Sequence, residues 1–130
     1  MPRRKIGKRR VLALARLWRE RLHLGDWKLS LLVEPIPEAE DCKAYCQAMP
    51  EYKEMTVAVD PEAVTPEELE STIVHELLHA HVEHLAGLAL AMAGDDPIKR
   101  EVVRLAEESL VVSLERAFVQ AYAAPVEVLS

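Results

Sequence analysis

The chain contains no asparagine and only two cysteines, and it has no apolar run near the roughly 20 residues that span a bilayer. Each absence excludes something. Two thiols, Cys42 and Cys46, make neither a disulfide framework nor, alone, a zinc site, and they read as small buried hydrophobes. The missing apolar run leaves no membrane partner. The basic N-terminus is followed by no uninterrupted apolar segment and no small-residue cleavage site, so a secretory signal is not expected and the expected compartment is cytoplasmic. No internal repeat or low-complexity tract occurs. Lack of asparagine beside abundant Glu, Arg and Leu is consistent with a thermophilic source or a GC-rich genome.

What is present is a chain of 130 residues, 50% hydrophobic and 29% charged, which bounds it to one soluble globular domain over residues 11–130. Residues 1–10 hold six basic side chains and no acid, and they are expected to form a partly disordered tail. The rest carries 10 basic and 22 acidic residues, a net charge of −12. That acidic body argues against nucleic acid as the main ligand and leaves only contacts by the basic tail.

Apolar residues recur at helical spacing from Val11 through Trp18 to Leu22, and Gly25 is the expected terminator. Residues 27–33 read as a strand that Pro35 and Pro37 stop. Residues 43–49 and 53–59 alternate as two further strands, joined at Pro50-Glu51 into a hairpin. Thr65, Pro66 and Glu68 open a helix with capping-box spacing, which ends at Gly87 or frays on toward Met92. Asp96 and Pro97 start a last helix that runs to about Tyr122. The expected fold is α+β, with three main helices on a small, mostly antiparallel sheet of about three strands.

The second of these helices carries His75-Glu76-Leu77-Leu78-His79, an H-E-x-x-H pattern. Residues four apart lie about 40° apart on a helix, so both imidazoles project to one side and can share one Zn²⁺. Glu76 lies about 100° round from His75, within reach of a water beside that metal. Ile73, Val74, Leu77 and Leu78 supply a packing side away from the histidines.

A catalytic zinc takes three protein ligands. The extended H-E-x-x-H-x-x-G-x-x-H pattern fails, because Val82 and Leu85 occupy its Gly and final His positions. His81 and His84 do not face the pair. The last helix offers a carboxylate instead. Glu107 falls within its apolar stripe (Val103, Ala106, Leu110, Val111, Leu114), where a carboxylate is costly unless a metal compensates it. Glu108 borders the stripe and is the rival ligand, while Glu101 and Glu115 read as solvated.

The pattern of helix, strands, H-E-x-x-H helix and Glu-bearing helix resembles the zincin-like gluzincins. Gly25-Asp26-Trp27, His75–His79 and Glu107–Leu114 are similar to short phage-encoded metallopeptidases, over roughly residues 10–122. The resemblance implies zinc-dependent hydrolysis of a peptide bond, with Glu76 catalytic, and His75, His79 and Glu107 holding one Zn²⁺. Its substrate would be a peptide or protein. The alternative is a metal-binding but non-catalytic accessory or partner-binding domain of the same fold. In larger gluzincins an acid beyond the Glu ligand supports a His. Here Val111 and Val112 stand at those positions, so support must come from a backbone carbonyl or Glu83. Tyr45, Tyr52 and His84 are the candidates for stabilising an oxyanion.

Overall fold

A computed structural model of the chain describes residues 6–37 and 42–123. The elements follow in the order α1 (Lys8–Arg21), β1 (Lys28–Val33), β2 (Ala44–Met49), β3 (Glu54–Val59), α2 (Leu69–Ala93) and α3 (Pro97–Ala123). This is the expected α+β architecture, three helices on a small three-stranded sheet. α1 begins before Val11, so Lys8, Arg9 and Arg10 of the expected tail are helical. Residues 1–5 lie outside the described residues.

Strand order is β1-β3-β2, with β2 antiparallel to β3 and β1 parallel to it. β2 therefore runs against both other strands. The register sets Leu29, Leu31 and Val33 beside Met55, Val57 and Val59, which in turn stand beside Ala48, Cys46 and Ala44. Strict alternation thus gathers every large apolar side chain of the central strand on one face, and that face packs on the helices. The β2–β3 hairpin closes as expected through a 3₁₀ turn over Pro50–Tyr52, with Lys53 left-handed at φ 51°.

α1 ends earlier than Gly25. His23 takes the left-handed conformation (φ 57°), its N–H donates to the Glu20 carbonyl at 3.1 Å, and the Leu24 N–H donates to the Arg19 carbonyl at 2.8 Å. That is a Schellman ending built on histidine rather than glycine. His81 of α2 also hydrogen-bonds the Leu22 carbonyl, so the end of α1 is tied to the metal-motif helix.

α2 opens on a reciprocal capping box. The Thr65 N–H donates to Glu68 Oε1 at 2.9 Å and the Glu68 N–H to Thr65 Oγ1 at 3.3 Å, and the helix proper starts at Leu69. Lys43 at the start of β2 pairs with the same Glu68 carboxylate at 3.2 Å, fixing strand against helix. α2 passes through Gly87 and stops only at Gly94 (φ 62°), where Arg100 donates to the Leu90 and Gly94 carbonyls. Leu88, Ala89, Leu90 and Ala91 are strong helix formers and outweigh the roughly 1 kcal/mol cost of an interior glycine. α3 begins on the expected cap, with Asp96 Oδ1 accepting the Ile98 and Lys99 N–H groups.

Trp18 anchors the core. It is fully buried, its indole N–H donates to Glu70 at 3.0 Å, and Tyr122 near the end of α3 meets it edge-on at 5.2 Å. Arg21 covers both rings. Around it pack Leu69, Ile73 and Leu77 of α2 and Val57 of the sheet. The apolar stripe of α3 is used only in part: Val111 is its one buried side chain among the described residues, with Leu114 and Phe118 packed beside it. Val103, Ala106 and Leu110 stay partly or largely exposed.

Candidate metal centre

α2 presents His75 and His79 one turn apart on the side facing α3, ring centroids 5.3 Å apart and side chains about one-fifth exposed. The two Nε2 atoms point to the same place. Glu108 meets them there, with Oε1 2.8 Å from His75 Nε2 and Oε2 3.6 Å from His79 Nε2. His75, His79 and Glu108 each offer a ligand atom within 4.8 Å of the others.

Glu107 is brought to the other side of the ring. Its Oε2 lies 2.9 Å from His79 Nδ1. Helix phase explains the exchange with the expectation. Glu107 sits within the stripe that α3 presses toward α2, so its carboxylate enters the seam between the helices and meets the inner nitrogen. Glu108, 100° further round, swings to the open side where both Nε2 atoms point.

His75 is held in the same way by a residue expected to be solvated. Glu115 Oε1 lies 3.1 Å from His75 Nδ1, and its side chain is only 19% exposed. A signal for it was present in the sequence. Glu115 lies seven residues after Glu108, two turns along the same side of α3, and an antiparallel helix pair sets that position beside His75 while Glu107 falls beside His79. Glu83, named as a candidate for outer support, lies close to Glu107 and within the influence of His79. Burial first, then repulsion from Glu107, pushes its carboxyl above the usual range.

Glu76 is buried at the edge of this group. Burial raises its carboxyl above the ordinary value, while the adjacent His75 and His79 pull the other way. It lines a polar cleft of about 410 Å³ with His75, Glu115 and Thr72 on one side and Cys42, Lys43 and Ala44 on the other. Cys46 faces the same helix from β2, and its thiol is pushed up to about 12, mainly by burial and then by Glu76. The three residues considered for oxyanion contact do not line the cleft. Tyr45 turns to the far side of the sheet, Tyr52 is exposed in the hairpin turn, and His84 is exposed beyond His79.

The donor set fits a divalent cation. In the tautomer where each Nδ1–H is donated to a carboxylate, both Nε2 lone pairs are directed at the Glu108 side and are available to a cation. Four carboxyl groups (Glu76, Glu107, Glu108, Glu115) gather around the two imidazoles, and a dication at the convergence of the three donors would compensate them. Ligand atoms of a tetrahedral zinc with bonds of about 2.0–2.1 Å stand about 3.3 Å apart, and the two separations between Glu108 and the histidines, 2.8 and 3.6 Å, fall on either side of that value. The cluster can coordinate one Zn²⁺ per chain.

Fold and site together match a zincin-like metal site, with an H-E-x-x-H helix and a glutamate from the following helix on a small α+β scaffold, and are consistent with a zinc metalloenzyme. The arrangement matches that of a catalytic zinc peptidase. No family model, curated protein or solved structure matches the chain, so this class rests on the geometry of the site. Among the described residues no helix is long and apolar enough to cross a membrane.

Proposed function

We propose that the chain hydrolyses peptide bonds in the cleft between α2 and the start of β2, with His75, His79 and Glu108 holding zinc. The observation that carries this reading is the orientation of the two histidines. Each has its Nδ1 engaged by a carboxylate of α3, which leaves both Nε2 atoms free to converge with Glu108.

Zinc supplies Lewis acidity when bound, polarising a carbonyl and acidifying water. The remaining work falls to side chains. Glu76 takes the proton of the attacking water and hands it to the leaving amine. Glu107 and Glu115 fix the tautomer and tilt of the two rings. β2 is the edge strand beside α2, and its open edge adjoins the cleft, so an extended peptide can add to it through backbone hydrogen bonds. That mode reads backbone more than sequence. The sparse cysteine content supports a cytoplasmic setting.

Three converging donors, and no fourth among the described residues, leave coordination room for water and substrate. A closed four-ligand site would have favoured the accessory-domain alternative. The test is Glu76→Gln, which keeps the three donors. Zinc content should stay near one per chain by mass spectrometry, while peptide cleavage should fall about 10²–10⁴-fold. Undiminished cleavage would remove Glu76 from the mechanism. In the companion experiment Glu108→Ala should lose the zinc and Glu107→Ala should keep it, and the reverse result would return Glu107 to the ligand set.

A further inference from the structure

From Gly87 to Leu110, across the end of α2, the turn and the first half of α3, no side chain is buried. The segment is nonetheless apolar. Met92 is 89% exposed and Ile98 76%, Val102, Leu105 and Leu110 are also largely open, and so is Leu85 just before the segment. Two helices touching only each other have little to hold them, because helices of this length take most of their stability from packing an apolar face.

The exposed residues have a shape. Leu85, Met92, Ile98, Val102 and Leu110 wall a continuous groove between the helices, and Ala89, Val103 and Ala106 line it between them. The half nearer the metal centre alone encloses about 250 Å³. Leu88 extends the α2 wall, three residues after Leu85 and four before Met92.

We infer that this hairpin is a dimerisation surface, closed by the same hairpin of a second copy into a four-helix bundle. Three features favour a second copy. Leu85, Leu88, Met92, Ile98, Val102 and Leu110 are each 44–89% exposed, and six large apolar side chains open in one region approach one side of a standard interface, about 800 Å². Ridge and groove occur in one face, so a two-fold partner offers each what the other lacks. The charged residues that line the groove are Lys99 and Glu107, one of each sign, which suits a protein surface better than an anionic membrane or nucleic acid. The groove and the cleft share no lining residue, although Glu107, which meets His79, lines the groove.

The test is sedimentation equilibrium of the full chain, wild type against Met92→Glu and Ile98→Glu, from sub-micromolar to about 100 μM. Wild type should be dimeric in the upper range, and each substitution should weaken dimerisation at least 100-fold, because a carboxylate would then be buried in the bundle. Circular dichroism of the variants checks that the monomer still folds, as side chains this exposed allow. A wild type that stays monomeric throughout, or a dimer that both variants leave intact, overturns the inference. If one variant unfolds, the other and the wild-type concentration dependence still decide it.

Discussion

The first half of α2 and the second half of α3 form one region, and the hairpin beyond them forms another. Leu69 through Ala86 contribute nine buried residues, and α3 from Val111 onward packs on the core and is pinned at Tyr122 by Trp18 and Arg21. Beyond these limits the same two helices bury nothing. The metal centre lies on the border. Its histidines stand on the packed half of α2, and Glu108 stands on the unpacked half of α3. A bound zinc therefore joins a rigid element to one whose position the core does not fix. The carboxylates on the histidine Nδ1 atoms are split likewise, Glu115 on the packed side and Glu107 on the open side.

The largest expected effect tests whether the two regions differ in what they contribute to folding. Leu77→Ala removes a fully buried side chain from the packed region and should cost about 2–5 kcal/mol in denaturant unfolding. Leu88→Ala in the hairpin, measured in dilute solution, should cost less than about 1 kcal/mol. Equal losses would mean that the hairpin is part of the cooperative core, and the contrast would fall.

A second experiment sharpens the contrast at the metal. Zinc affinity should drop about 10–100-fold in both Glu115→Ala and Glu107→Ala, because each leaves a ligand histidine without its orienting carboxylate. Hydrogen exchange adds a regional readout: zinc should slow exchange in residues 97–110 far more than in residues 112–122. Uniform protection along α3 would show that the helix is already fixed without metal.

Much of this was legible in the sequence, and what was missed follows a pattern. The strands, the capping box at Thr65 and Glu68, the Asp96 cap and the histidine pair all depend on spacing within one element, and local spacing is what a sequence displays. The third donor depends on how α3 is rotated against α2. The apolar stripe points Glu107 inward, and inward on α3 means the seam and the inner nitrogen of His79, whereas the ligand atoms of His75 and His79 converge with Glu108 on the open side. Spacing sets Glu115 two turns beyond Glu108 on the same side of α3, but only the antiparallel pairing of α2 and α3 brings His75 opposite it. The end of α1 was assigned to Gly25 on propensity, yet a Schellman turn carried by His23 came first. The length of α2 was open for a related reason: its exposed end is held by helix propensity and a paired helix, not by burial.

The smallest expected effect lies at the root of the packed region. Asp60 closes the loop that leads toward α2. Its Oδ2 accepts the Ile36 N–H at 3.0 Å, and its Oδ1 accepts the N–H groups of Glu62 and Ala63. Those backbone hydrogen bonds, the one from Ile36 foremost, hold its carboxyl below the ordinary 3.8. A carboxyl depressed by folding stabilises the native state above its unfolded value, and that contribution fades as pH falls through the folded value. Wild type should therefore lose part of its stability between about pH 4 and the still lower folded value, and Asp60→Asn should not show that part. The difference between the two in urea unfolding should be largest at neutral pH and shrink on acidification. It should also be the same with and without zinc, because the loop is anchored on the sheet side of α2. A zinc-dependent difference would mean that the loop and the metal centre are coupled, and that the border between the regions lies nearer the sheet than the burial pattern places it.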